Sequence, residues 1–256
     1  MGISQPDPDR PPVEGESSPP PGWLGWGWLE ALVVFALGLI PAAIVQVVAQ
    51  SQSGAVRTNL IAVSLAYQSL VWAILGVAAA RARGHHPRRI GWQVARPAAA
   101  VAAGLLGILA AVAAMLATGG IIIAALSLFM SPEEATELLA AEGALQQEQL
   151  LPTGTLTAAG ATALAVSMCL VPIGEEVMFR GLLHTAVRDR FGLAAAIIVV
   201  SAGFALIHSL RYHFLVLFSV GVVLALLRER TGSLLPPIIA HAGLNSVTIL
   251  IWLLQA

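Results

Sequence analysis

The sequence has no lysine, one cysteine and few charges of either sign, and each shortage removes a class of explanation. Charged side chains make up 11% of its 256 residues, where a soluble domain carries about 25%. An ordinary water-facing surface cannot be covered with so few. The lone thiol, Cys169, excludes an internal disulfide and a cysteine-rich metal site. All thirteen basic residues are arginine, a uniformity read as codon bias that hints at a bacterial host rather than at mechanism. A net charge of −1 without a broad basic surface gives no support for nucleic-acid binding.

Apolar length is what the chain has in abundance. Hydrophobic residues make up 57% of it. Several runs exceed about 18 residues with few charges or none, enough to cross a hydrocarbon core of about 30 Å. The expectation is an all-α, polytopic transmembrane helix bundle.

Residues 1–22 are rich in proline, serine and acid, and such a segment cannot bury apolar surface, so a disordered tail is expected. Trp23, Trp26 and Trp28 follow as an interfacial cluster. Spans are expected at 29–49, 59–80, 97–130, 157–187, 193–210, 212–227 and 233–255, about seven, within a range of six to eight. The stretch 97–130 has no charge; as one helix it would be about 51 Å long, so either Thr118-Gly119-Gly120 breaks it or the helix tilts and protrudes. Counting it as one crossing puts ten arginines on the side of the 81–96 loop and only Arg57 and Arg211 on the other. That bias makes the 81–96 side cytoplasmic. Residues 131–154 hold five glutamates and no base, and Ser131-Pro132-Glu133-Glu134 reads as a capping box opening a short external surface helix. The chain thus divides into the tail 1–22, N-terminal membrane helices over 23–154 and a C-terminal membrane core over 155–256.

Three residues of the fourth span do not belong in lipid. Glu175, Glu176 and Arg180 lie between Met168–Ile173 and Val177–Leu183. A charge at the centre of a membrane helix costs about 2.5–3.5 kcal/mol on insertion scales. Glu176 and Arg180 are spaced i,i+4 in the favourable order and can pair. Glu175 has no partner on its own helix. Later spans carry Phe204-x-x-x-His208 and His241-x-x-x-Asn245, each on one helix face. By helical rise from their assumed cytoplasmic edges, Glu176, His208, His241 and Asn245 lie about 18, 22, 8 and 14 Å deep. These levels overlap within the slack of helix tilt, so the polar groups can share one cavity opening to the cytoplasm.

Glu175-Glu176-x-x-x-Arg180, Phe204-x-x-x-His208 and His241-x-x-x-Asn245, in this order and on separate spans, resemble the three-part signature of the CAAX protease and bacteriocin-processing (CPBP) family. The family includes the type II CAAX prenyl endopeptidases. The resemblance covers about residues 157–255; the first three spans carry no motif. It implies an intramembrane endopeptidase in which Glu175, assisted by His208, activates water. His241 and Asn245 would stabilise the oxyanion, Arg180 would orient substrate or hold Glu176, and Phe204 would lie beside substrate. The same residues leave a second chemistry open. Glu175, His208 and His241 make a set suited to a divalent metal, zinc above all, although no HExxH is present.

Other roles compete. Glu176–Arg180 can be a structural ion pair, and either histidine alone is more often an interhelical hydrogen-bonding residue. His184 lies one turn beyond Arg180, at the cavity mouth or in a structural role. His213 is expected at the interface and His85 and His86 in solvent. Pro172 can open the helix before the glutamates. Rival functions are a proton-coupled transporter, since buried Glu, Arg and His also form relays, and a catalytically idle immunity or scaffold protein of the same fold. An inverted-repeat transporter should show matching halves, and here the polar residues crowd into one. The expected substrate is a membrane-associated protein or peptide, and the expected location a bacterial inner membrane with the active site facing the cytoplasm.

Overall fold

The computed structural model describes residues 28–82, 87–150, 157–208 and 212–255. The tail, Trp23, Trp26, His85, His86 and Arg211 lie outside the described residues. Among those described the chain is a bundle of eight helices, and no strand occurs. They are α1 (Trp28–Gln50), α2 (Gly54–Ala82), α3 (Pro97–Leu126), α4 (Pro132–Leu150), α5 (Ala158–Phe191), α6 (Leu193–Ile207), α7 (Phe214–Thr231) and α8 (Leu235–Gln255). Five of them, α1, α2, α3, α5 and α8, are long and apolar enough to cross a membrane. This is an integral membrane protein. The two other segments expected to span, α6 and α7, form a pair of shorter helices packed on each other.

α1 and α2 form a hairpin against α5, while α3 packs on α7 and α8 from the other side. Pro41 sits inside α1 and has no N–H, which strands the Leu37 carbonyl one turn back. The Tyr67 hydroxyl on α2 donates to that carbonyl at 3.1 Å. In lipid a freed carbonyl needs such a partner, so the proline helps to fix the hairpin. Trp72 stacks on Phe35, with ring centroids 5.5 Å apart, and both meet Phe179 of α5 edge-on.

α3 runs unbroken through Thr118-Gly119-Gly120. The Thr118 hydroxyl donates to the Ala114 carbonyl at 2.7 Å, which keeps it in the helix. The anticipated cap on α4 is present in both halves: Ser131 N–H donates to Glu134 at 2.8 Å, and Glu134 N–H to the Ser131 hydroxyl at 3.2 Å.

The two ends of the bundle differ in charge. At one end Arg89 pairs with Asp189 at 2.8 Å, Arg228 donates to the Arg89 carbonyl and Arg188 pairs with Glu229. The 81–96 loop, the end of α5 and the end of α7 therefore share one side, as a single crossing by α3 requires. At the other end α4 reaches the residues that open α7. Glu142 accepts the Tyr212 and His213 backbone N–H groups and the His213 ring, all within 2.9–3.1 Å. Burial opposes the charge on Glu142, but these bonds outweigh it and hold its carboxyl below the ordinary value.

Candidate active site

The helix that carries the glutamates is not uniform. Val166–Leu170 and Val177–Leu183 are π-helical, and between them Val171–Glu176 is a short α-helical stretch. The wider turns show in the N–H of Val171, which reaches the Val166 carbonyl, and that of His184, which reaches Phe179. π-turns recur at functional sites because each rotates the face that follows. Pro172 opens the middle stretch, and its missing N–H suits a site where the regular ladder is already interrupted. Gly174 allows α2 to come close: a Cβ there would collide with the Ser69 backbone. Glu175 and Glu176 are thereby buried, midway along a 34-residue helix.

Each charge meets a partner from another helix. Arg180 is fully enclosed; its Nη1 donates to Glu176 Oε1 at 2.9 Å and its Nη2 to the Gly221 carbonyl of α7 at 3.3 Å. That carbonyl is reachable because Gly221 lets α7 close on α6, where a Cβ would stand 2.9 Å from Ser201. The guanidinium also lies 4.5 Å from the Phe204 ring centroid, a cation–π contact in a dry site. His241 of α8 bridges the two carboxylates: Nδ1 is 2.9 Å from Glu176 Oε1, and Nε2 is 3.8 Å from Glu175 Oε2. The first is a hydrogen bond; the second is too long for one and matches a bridged contact. Glu175 Oε2 is buried with no hydrogen-bond partner of its own.

Phe204 joins the remaining residues to this group. Its ring centroid lies 5.7 Å from that of His241 and 4.8 Å from that of His208. His208 caps the end of α6, half-buried, with Nδ1 2.7 Å from the Phe204 carbonyl. A carbonyl only accepts, so Nδ1 donates the proton of that bond and Nε2 is left for other partners. Asn245 lies one turn past His241, and its Nδ2 donates to the Ser167 carbonyl at 3.1 Å, leaving one N–H unused.

All seven residues singled out in the sequence thus fall in one connected group inside the bundle. Arg180 and Phe204 are enclosed, so in this arrangement they support Glu176 and the imidazoles instead of fronting an open surface. His184 is buried and 2.9 Å from Glu229, which Arg188 also holds. Two partners had no signal in the sequence, because both are backbone carbonyls: Gly221 for Arg180 and Ser167 for Asn245. Glu229 went unremarked because it sits between two arginines at a helix end and reads as a solvated charge.

The metal set does not assemble in this arrangement. Among the described residues no three His, Cys, Asp or Glu side chains are disposed to hold an ion. His241 Nδ1 is held by Glu176 and His208 Nδ1 by a carbonyl, the contacts that orient a ligating histidine, so only the two Nε2 atoms would be offered to an ion.

Comparison with known proteins locates the same region. A family model described as type II CAAX prenyl endopeptidase Rce1-like matches residues 157–247. A Bacillus subtilis (strain 168) protein named "Putative membrane peptidase YdiL" is 30% identical over 88 residues, 34% of this chain and 36% of that protein. The chain thus spans about a third of the length of the curated relative it matches. No solved structure matches. The matched stretch contains every residue of the polar group.

Proposed function

We propose that this chain, CAAX protease-like through residues 157–247, is an intramembrane endopeptidase that hydrolyses a peptide bond of a membrane-associated protein or peptide. The observation that carries the reading is His241 held between two buried carboxylates, with Glu175 Oε2 unpartnered and 3.8 Å from Nε2. Peptide hydrolysis needs a base to activate water and donors for the oxyanion. With Nδ1–H donating to Glu176, His241 directs the Nε2 lone pair toward Glu175, so a water between them would meet two acceptors. Glu175 is assigned as general base. Glu176, neutralised by Arg180, fixes the His241 tautomer and ring. The free N–H of Asn245 is assigned to the substrate carbonyl, the half-buried His208 to assisting Glu175 on water, and Arg180 and Phe204 to positioning.

The setting is a bacterial inner membrane, with the arginine-rich end in the cytoplasm. Purified full-length protein assayed on a library of membrane-tethered peptides tests the activity. Cleavage is expected, and its absence across the library overturns the reading. Exhaustive chelation of protein shown metal-free by elemental analysis tests the chemistry. Retained cleavage supports glutamate-activated water. Cleavage lost on chelation and restored by zinc would return Glu175, His208 and His241 to the role of ligands, after rearrangement of the histidines.

A further inference from the structure

We infer that a lateral groove between α1, α5 and α6 binds one phospholipid with an anionic headgroup, its acyl chain in the groove and its phosphate on Arg190. The groove has a volume of about 580 Å³, within the range of about 300–1,000 Å³ usual for ligand sites. Leu32 and Phe35 of α1, Phe179 and Leu183 of α5, and Val200 and Gly203 of α6 form its walls.

Three observations choose the occupant. Arg190 is the one lining side chain that is not apolar. A peptide backbone placed in the groove would leave its N–H and C=O groups unsatisfied, whereas a hydrocarbon chain has none to satisfy. Length is the second. From Phe179, one turn beyond the buried carboxylates, to Arg190 the helix rises about 16 Å, close to half of a hydrocarbon core of about 30 Å. The groove is one leaflet deep. Charge is the third. Arg190 is exposed at the mouth and its guanidinium lies 5.5 Å from the Phe191 ring centroid. Among the described residues no carboxylate pairs with it, while its neighbours Arg188 and Arg89 are held by Glu229 and Asp189. A guanidinium presented at headgroup level beside a hydrocarbon slot matches a lipid phosphate.

The test is lipid retention by the full chain, which does not depend on proteolysis. Protein is taken from vesicles of equimolar phosphatidylglycerol and phosphatidylcholine, and bound lipid is measured by native mass spectrometry. The wild type should retain one lipid, with phosphatidylglycerol favoured about fivefold, the preference one arginine confers at an anionic surface. Arg190→Gln should bring the two lipids to parity while still retaining one. Gly203→Leu should lose both, since a Cβ at Gly203 meets open space and the side chain can fill the groove. Val199→Phe fills it from the same helix should the leucine variant not fold. Parity in the wild type, a preference that survives Arg190→Gln, or full retention in a folded groove-filling variant would overturn the inference. So would displacement of the lipid by geranylgeraniol regardless of headgroup, which would assign the slot to an isoprenoid chain.

Discussion

α3 and α5 are the two longest unbroken helices, and hydropathy alone ranks them in the wrong order of importance. α3 is the more apolar, yet only 17% of its most apolar stretch is buried, against 56% for α5. In water the most apolar helix would sit at the centre. In a bilayer lipid tails are as apolar as leucine, so nothing drives leucine inward, and a charge on the lipid face is expensive. Leu105, Leu106 and Leu109 of α3 therefore face outward, while Glu175, Glu176 and Arg180 pull α5 to the middle. Charge content, more than hydropathy, identifies the central helix.

The sharpest way to break this contrast is a pair of substitutions, one on each helix. Glu175→Gln keeps size and removes the base, so cleavage should fall on the order of 10²–10⁴-fold. Folded yield should survive, since neutralising a buried carboxylate relieves a desolvation cost. Leu109→Ala, on the lipid face of α3, should leave the rate of peptide release unchanged. Full activity in Glu175→Gln would remove that residue from the mechanism.

Arg180→Met comes next and separates support from chemistry. It strands Glu176 in a dry interior, and breaking a buried pair in this way costs about 3–5 kcal/mol. Its first readout is stability, as loss of monodisperse protein on heating in detergent. Unchanged stability would show that the guanidinium is not what holds Glu176. Asn245→Ala should slow cleavage by about 10²–10³-fold if its free N–H meets the oxyanion. Its effect should appear in kcat; a change confined to KM would assign Asn245 to ground-state binding.

The smallest effect belongs to α4. The carboxyl of Glu142 is held below its ordinary value in the folded protein, so it contributes stability above the unfolded-state value, lost as pH falls through the folded one. Protection of the α4 amides relative to their intrinsic exchange should be high at neutral pH and fall only below the ordinary carboxylate range. Glu142→Gln should remove that pH dependence. Protection that does not change with pH in the wild type would show that the Glu142 contacts do not hold α4 down.

Much of this architecture could be read directly. Spans expected at 29–49 and 59–80 became Trp28–Gln50 and Gly54–Ala82, because uninterrupted apolar runs of that length have no other stable form in lipid. The Ser131–Glu134 cap was legible because both of its hydrogen bonds lie within four residues. Of the two expectations for 97–130, a break at Thr118 or one continuous helix, the continuous helix is found, because glycine in lipid has no water to expose its backbone to. The π-turns around the glutamates left no mark beyond Pro172: a π-turn is settled by what its faces must meet on other helices.

By itself the sequence determined that the chain is helical, that it is embedded in a membrane, and which six polar residues have no place in lipid. These follow from local chemistry: run length, charge and spacing within one helix. Only the tertiary structure decided that His241 stands between Glu175 and Glu176, that Arg180 closes on a carbonyl of α7 and the face of Phe204, and that Asn245 reaches Ser167. Each of these joins residues more than 20 positions apart in the chain. Helical periodicity places residues on a face; only packing decides which faces meet.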